Sequence, residues 1–420
     1  MATLRIAAKR FLEDLLLTLT QPAARALMTA ALGLDRRPPR PAVKADVLAA
    51  IRRLGALQID TIHVVARSPY LALFSRLGHY DARWLDALLA EGALFEYWSH
   101  EASFLPIEDF PLYRHRMLAA HTLGWRYSQE WLEAHQAEIQ HVRERIHSEG
   151  PLRAADFTRK GGPGNGWWDW KPEKIALETL FARGELMIAR RHNFQRVYDL
   201  RERVLPGWDD SRAPSPKEAQ RLLLCRAVRA LGVATALWAA EYFRIRKEEA
   251  LPLLPALAAE GRLLAVQVEG WDEPAYLHPE RLSLAEAAAA GALRPELTTL
   301  LSPFDPLVAN RQRASTVFGF DFALECYLPA TKRRYGYFTL PVLRRGELIG
   351  RLDPKAHRKE GLFEVKMLYL EPGVPADEAL VADLAQAIAE CARWHGTPQV
   401  AVRASDPPDL AARVEQAISG

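Results

Sequence analysis

Cysteine is scarce in this sequence, and its spacing argues against two common kinds of stabilising site. The 420 residues include only Cys225, Cys326 and Cys391. Three widely separated cysteines form no CxxC pair and no zinc-ligand spacing, so neither a disulfide framework nor a zinc site is expected. The pattern favours a reducing compartment, and we predict a cytoplasmic protein that needs no metal or other cofactor.

Long hydrophobic runs and nucleotide-binding motifs are also lacking. No stretch approaches the roughly 18 apolar residues of a membrane helix. Glu13 and Asp14 interrupt the apolar segment at residues 11–20, and no cleavage site follows it, so neither a signal peptide nor a membrane partner is expected. There is no P-loop and no GxGxxG after a predicted strand, which disfavours ATP-driven and nicotinamide-dependent chemistry.

What the sequence does contain is typical of a multidomain globular protein. Hydrophobic residues make up 49% and charged residues 25% of the 420 residues, a length that exceeds one ordinary core. The net charge of +3 neither requires nor excludes a nucleic-acid partner. The distribution of the charges is therefore more informative than their sum.

Three segments repeat one order of elements. In each, a predicted helix ends at a glycine next to a charged residue (Gly92, Gly184 or Gly261), and a predicted β-hairpin follows. Helices followed by a hairpin are the plan of a winged helix, a relative of the helix-turn-helix. We therefore predict an α+β protein with three tandem winged-helix modules. The predicted boundaries are residues 1–40 for an N-terminal helical extension interrupted at Pro22, and residues 41–125, 126–212 and 213–297 for the modules.

The composition changes after residue 298, where segments rich in β-branched and aromatic residues alternate with turn signals. We predict that residues 298–420 form a β-rich, barrel-like domain with one helix packed on it. The predicted strands are residues 315–326, 335–343, 347–352, 363–370 and 399–403, and the predicted helix is residues 377–394.

Gln58 and Asp60 form a suggestive polar pair. They alternate with Leu57 and Ile59, so an extended backbone would point both polar side chains to one face. An amide and a carboxylate side by side can hold and polarise one water molecule. The triplet alone is a weak signal, because Gln-x-Asp occurs by chance about once in a chain of this length. An exposed polar face on a short strand also explains it.

Cations and aromatic residues alternate at residues 332–338, inside a basic window at residues 311–359. Cations pair with phosphates and rings stack on bases, so this segment suits a nucleic-acid surface; a solvated turn before a core strand is the alternative. A basic hairpin at residues 190–196 is a second candidate. A glycine-rich loop at residues 161–170 holds tryptophans that would either read distorted DNA or plug the module. The candidate DNA contacts are Arg67, His100, Trp167, Trp168, Arg191, Asn193, Arg196, Arg311, Arg313, Lys332, Arg333 and Tyr335.

Blocks of sequence spread over residues 45–370 resemble one enzyme family. They lie at residues 57–62, 65–70, 74–78, 97–102, 113–118, 193–200, 301–306 and 332–338. In this order they are similar to the bacterial winged-helix DNA glycosylases that unhook interstrand crosslinks, the AlkZ/YcaQ family. Asp60 matches the Gln-x-Asp form of the family's catalytic triplet, so the chain looks like the YcaQ-like branch, which is associated with broad tolerance for monoadducts and crosslinks.

The resemblance implies a monofunctional DNA glycosylase that hydrolyses the N-glycosidic bond of N7-alkylated purines without a metal. Asp60 would activate water and stabilise the oxocarbenium-like sugar, and Gln58 would orient the water. The implied partner is double-stranded DNA that carries alkyl adducts or crosslinks. We expect a monomer, located in the cytoplasm and on the nucleoid when it is bound to DNA.

Two other classes of function stay open on the sequence. A winged-helix transcription regulator without chemistry would bind a preferred sequence and excise no base, although no ligand-sensing or dimerising segment is evident. A nuclease would need clustered carboxylates for metal ions, which we do not find. His100 and Glu101 are adjacent, but no second histidine follows four residues on, so they are expected to be a polar pair in a hairpin and not a zinc motif.

Overall fold

The computed structural model describes residues 17–119, 129–157 and 171–420. They form two compact units: one comprises residues 17–80 and 224–420, and the other the described residues of 81–223. Helices and strands occur in both units, which confirms the predicted α+β class. The five predicted segments are not tested by this division and remain a prediction.

Helices and strands are interspersed along the described chain. The helices are Gln21–Ala31 (α1), Lys44–Leu54 (α2), Ser68–Leu77 (α3), Arg83–Ala90 (α4), Phe110–Leu118 (α5), Gln129–Ala134 (α6), Gln136–Glu149 (α7), Pro172–Ala182 (α8), Arg201–Val204 (α9), Pro216–Leu231 (α10), Ala236–Tyr242 (α11), Lys247–Ala250 (α12), Leu253–Ala259 (α13), Leu282–Ala289 (α14), Arg311–Phe318 (α15), Glu378–His395 (α16) and Leu410–Ser419 (α17). The strands are Thr18–Leu19 (β1), Leu57–Gln58 (β2), Leu94–Trp98 (β3), Ala102–Pro106 (β4), Leu152–Arg153 (β5), Leu186–His192 (β6), Gln195–Leu200 (β7), Val233–Thr235 (β8), Leu264–Val268 (β9), Ala275–Leu277 (β10), Thr298–Leu300 (β11), Leu340–Arg344 (β12), Glu347–His357 (β13), Leu362–Leu370 (β14), Gln399–Val402 (β15) and Ser405–Asp406 (β16).

One sheet of the larger unit has the strand order β1-β9-β10-β8, with β1 parallel to β9. Helices α1 and α14 cover it, and Leu27 and Ala285 from these helices share a buried cluster with Val233 and Val266 of the sheet. Burying apolar side chains between helices and a sheet is what stabilises this layer.

The start of α1 corrects the expectation for Pro22. Thr20 caps the helix by accepting a hydrogen bond from the amide of Ala23 (3.2 Å), and Pro22 lies in the first turn, where a backbone donor is not needed. Pro22 therefore begins a helix and does not interrupt one. Residues 18–19, predicted to be helical, are the strand β1.

The second sheet of the larger unit has the order β11-β12-β13-β14-β15, and β16 also pairs with β14. Pro354 lies at an irregularity of β13, where the missing amide is tolerated. Helix α16 packs against β11 and β15, and α17 packs against α16 and β15. The strands predicted at residues 347–352, 363–370 and 399–403 and the helix at 377–394 are confirmed. Among the described strands the order runs openly from β11 to β15, and the sheet is a curled half-barrel, so the predicted barrel-like domain is confirmed in this coarser form.

The strand predicted at residues 315–326 is wrong. Helix α15 occupies its first part, because Asn310 caps it by accepting from the amide of Arg313 (2.8 Å) and Gly319 ends it at a φ of 63°. The β-branched residues Thr316 and Val317 favoured a strand locally, but the capping residues decide for a helix. Helices α15 and α17 also correct the prediction of one helix in this region, and the strand predicted at 335–343 begins only at residue 340.

The smaller unit contains the β3–β4 hairpin and a sheet of order β5-β7-β6. Asn193 and Phe194 close the β6–β7 hairpin with positive φ values of 48° and 66°, the conformation of a two-residue type I′ turn. The predicted order of a helix, a glycine and a hairpin is confirmed after α4, α8 and α13. This order does not test whether each is a winged-helix module.

Candidate active site

Gln58 and Asp60 follow directly from the end of α2. Gly55 terminates that helix at a φ of 73°, and its amide donates to the carbonyl of Ile51 (2.8 Å). Leu57 and Ile59 are then buried, at 2% and 8% exposure, whereas Gln58 and Asp60 are half-buried. The alternation predicted from the sequence is confirmed, and the two polar side chains belong to the accessible face.

Two opposing effects act on the pKa of the Asp60 carboxyl group. Burial raises the pKa of Asp60 above its ordinary value, and the hydrogen bond that Oδ1 accepts from the Ile62 amide (2.7 Å) lowers it again; burial is the larger effect. Within the described part of the chain, the Ile62 amide is the one hydrogen-bond donor to this carboxylate. Among the described residues, Oδ2 accepts no hydrogen bond.

The segment between α15 and β12 lies beside Asp60. Burial, and next the negative charge of Asp60, raise the pKa of the Cys326 thiol, which requires Cys326 and Asp60 to be close. Tyr327 follows and is 78% exposed. Arg333 donates to the Leu328 carbonyl (2.9 Å), so the cation-and-aromatic segment at residues 332–338 contacts the stretch that follows Cys326.

Hydrogen bonds from backbone amides to a buried carboxylate hold residues 332–338 in place and leave some side chains of this segment accessible. The buried Glu325 accepts from the amides of Tyr335 (2.8 Å) and Gly336 (3.2 Å) through Oε2. Gly336 has a φ of 137°, and a Cβ there would lie 2.4 Å from Cγ of Asp353, so only glycine fits. The fully buried Arg351 stacks under the Tyr335 ring at 4.2 Å. Lys332 is exposed.

A buried ion pair fixes the helix that follows Asp60. Arg76 of α3 donates to both carboxylate oxygens of Asp305, at 2.6 and 3.1 Å, and both side chains are buried. The hydroxyls of Ser68 and Ser302 are 2.7 Å apart. The loop at residues 59–67 is therefore held at both ends, by β2 and by α3, and its conformation is set by the packed core.

Two predicted DNA contacts in the smaller unit are occupied by protein. Arg191 and Arg196 donate to the two carboxylate oxygens of the buried Glu96, at 2.7 and 2.5 Å, and Arg196 also donates to Glu178 (2.8 Å). Charges buried in this way are satisfied internally and are not available to phosphates. We therefore remove Arg191 and Arg196 from the candidate DNA surface.

Arg313 is also removed from that surface. Its side chain is buried at 1% exposure, and one of its nitrogens donates to the Pro306 carbonyl. Arg311, two residues earlier in α15, is exposed, as is Asn193 at the tip of its hairpin; His100, Arg67, Arg333 and Tyr335 are half-buried. Trp167 and Trp168 lie outside the described residues.

The comparison with protein families assigns the chain to a known family. The family model described as DNA glycosylase AlkZ-like matches residues 51–394, which include Gln58, Asp60 and the segment at 332–338. The chain belongs to this family of DNA glycosylases. It is accordingly an enzyme of DNA repair, and the open alternatives of a regulator without chemistry and of a nuclease are set aside.

A solved structure has the same fold as this AlkZ-like glycosylase. The Streptomyces sahachiroi DNA glycosylase AlkZ superposes with a TM-score of 0.61 over 92% of this chain and 100% of that chain, at 17% sequence identity. No helix of the described residues is long and apolar enough to cross a membrane. Nor do three or more His, Cys, Asp or Glu side chains of the described residues gather as a metal site.

Proposed function

We propose that this enzyme is a monofunctional glycosylase for N7-alkylated purines, including those that join the two strands of a crosslink. The observation that carries the proposal is the half-buried Asp60 carboxylate, which keeps one oxygen available beside Gln58. A base alkylated at N7 is cationic and leaves without protonation by a general acid. The remaining chemistry is to stabilise a cationic sugar and to deliver water to C1′.

Asp60 suits both parts of this chemistry when it is ionised. Its negative charge in a partly desolvated place stabilises an oxocarbenium-like sugar, as a carboxylate does in glycoside hydrolysis. The same carboxylate accepts a proton from the attacking water. Gln58, two residues earlier on the same accessible face, orients that water with its amide.

The DNA surface is the second part of the proposal. A crosslinked base is tethered to the opposite strand and cannot travel far into a pocket, so it needs an open basic surface rather than full base flipping. We propose that three winged-helix modules supply this surface and that the enzyme acts as a cytoplasmic monomer on alkylated double-stranded DNA. The proposed contacts are Arg67, His100, Asn193, Arg311, Lys332, Arg333 and Tyr335, with Trp167 and Trp168 as further candidates.

A substrate panel tests the function. Purified enzyme is incubated with three duplexes of one sequence: unmodified, carrying one N7-methylguanine, and carrying an N7–N7 interstrand crosslink. We expect free modified base from the second, strand separation on a denaturing gel from the third, and no release from the first. Equal base release from all three duplexes, or tight binding to the modified duplexes without any release, would contradict the proposed substrate class.

A further inference from the structure

The turn between β13 and β14 carries an arginine that contacts the loop of Asp60. Arg358 donates through Nη2 to Nε2 of His63 (2.8 Å) and to the carbonyl of Val65. His63 is three residues after Asp60, a span of at most about 10 Å of extended chain. Arg358 itself is exposed. A cation from a distant part of the sequence therefore contacts the loop that carries Asp60, three and five residues after it.

A second arginine adds to this positive charge. Partial burial and then Arg67 lower the pKa of Arg358, so the two guanidinium groups are close enough to repel one another. Partial burial, Arg358 and Arg67 also lower the pKa of His63 to about 4, so His63 is neutral at physiological pH and accepts the Arg358 hydrogen bond. Within the described residues, no carboxylate lies within ion-pair distance of Arg358.

The contacts to His63 and Val65 use only one nitrogen of Arg358. A guanidinium has five N–H donors, and toward the described residues Nη1 and Nε of Arg358 make no hydrogen bond, so their donors can meet another acceptor. An accessible guanidinium held by one nitrogen, with a like charge next to it, is a site for an anion that binds in a bidentate manner. Each deoxyribose in DNA is linked to a phosphate on both sides, so the anion nearest to Asp60 in a DNA complex is a phosphate.

We propose that Arg358, oriented by His63 and assisted by Arg67, binds one backbone phosphate directly adjacent to the nucleotide that Asp60 attacks. The site rests on the proposed function of Asp60 and specifies how the sugar is positioned there. Contacts to phosphates fix the register of a protein on a duplex without reading sequence. Arg358 is thus a positioning residue: it holds the sugar in line with the water between Gln58 and Asp60.

The test removes the charge from one phosphate at a time. Binding is measured for a duplex with a stable abasic analogue at the lesion position, and for versions in which a single phosphate near it is replaced by a neutral methylphosphonate. We expect wild-type binding to weaken about tenfold when a phosphate flanking the analogue is neutral. Arg358→Ala should lower the affinity by the same factor for the abasic-analogue duplex in which every phosphate is charged. It should cause no further loss of affinity for the duplex whose flanking phosphate is neutral.

Lys359→Ala is the matched control, because it removes an exposed charge of the same sign from the neighbouring residue. Any loss of affinity that Lys359→Ala causes should be the same for every duplex. Arg358→Lys should recover part of the affinity, since it keeps the charge and loses the bidentate geometry. The Arg358→Ala variant should also lower the slope of log affinity against log salt concentration by about 1.

A different result would overturn the site. If Arg358→Ala weakens binding equally on all duplexes, Arg358 only braces the loop at residues 59–67. The wild-type measurements on the methylphosphonate duplexes test the phosphate site even if the Arg358→Ala variant does not fold. Because binding is measured without base release, this outcome is separable from failure of the proposed function, in which the wild-type enzyme would release no N7-alkylated base.

Discussion

The Asp60 side chain combines its proposed chemical role with a cost to the folded state. Its pKa is raised by burial, so the folded protein holds a proton on Asp60 at pH values where the unfolded chain has lost it. The stability associated with Asp60 is therefore complete below the ordinary pKa of 3.8 and is lost as pH rises through the higher folded pKa. At neutral pH the ionised carboxylate destabilises the fold, which is common for groups placed for function.

Asp60→Asn should consequently stabilise the protein at neutral pH. An amide cannot ionise, so it avoids the cost of a partly desolvated charge. Urea unfolding of the variant and the wild type should give similar midpoints below pH 3.8 and a difference in favour of the variant that grows as pH rises and then levels off.

Asp272→Asn, which changes an exposed carboxylate in the same way, controls for the loss of one negative charge. A variant of Asp60 that is less stable than the wild type at pH 7 would mean that the hydrogen bond from Ile62 outweighs burial.

At the residue scale, part of the candidate site could be predicted from the sequence. The alternation of Gln58 and Asp60 with buried Leu57 and Ile59 is a local pattern, and it was predictable. The contact of Arg358 with His63 could not be predicted, because the two residues are 295 positions apart and local sequence patterns do not indicate such distant contacts. The basic window at 311–359 indicated the region but not which cation contacts the loop that carries Asp60.

At the scale of elements, the β6–β7 hairpin is stabilised by an internal charge network. Burial opposes ionisation of Glu96, but Arg196 and Arg191 outweigh it and keep the pKa of Glu96 below its ordinary value. Removing one partner of a buried pair leaves uncompensated charge, which is far more costly than loss of an exposed pair. This network explains why the basic hairpin does not present Arg191 and Arg196 to solvent.

Glu96→Gln should destabilise the smaller unit by about 3–5 kcal/mol, because Arg191 loses its carboxylate partner and Arg196 keeps only Glu178. Urea unfolding followed by fluorescence measures the change. Arg83→Ala breaks the exposed Arg83–Asp81 pair in the same unit and should cause little change. Equal, small effects of both substitutions would contradict the structural role assigned to Glu96.

Elements were predictable where local signals agreed with each other. Helix α16 and strands β14 and β15 have clear periodicity, and their predicted bounds are close to the observed ones. The error at residues 315–326 arose because β-branched residues outweighed the cap at Asn310 in the prediction. The carboxylate that occupies Arg191 and Arg196 lies about a hundred residues earlier, and local composition cannot reveal it.

At the scale of the whole molecule, the family match assigns a DNA glycosylase, and the fold is the one seen in a solved structure. The matched residues 51–394 take in both Asp60 and Arg358, so the proposed catalytic loop and the proposed phosphate site are parts of the region shared with the family. The order of helices and hairpins was visible in the sequence. The division into two units was not, because residues 17–80 join a partner that begins more than 140 positions later.

The central claim is that Asp60 drives hydrolysis, and single-turnover base release measures it most directly. The substrate is a duplex with one N7-methylguanine, and the rate constant and the dissociation constant are determined separately for wild type and Asp60→Asn. We predict that the rate constant falls by about 10²–10⁴-fold in the variant, while the dissociation constant changes little. A variant that releases the base at the wild-type rate, with the same affinity, would contradict the role of Asp60.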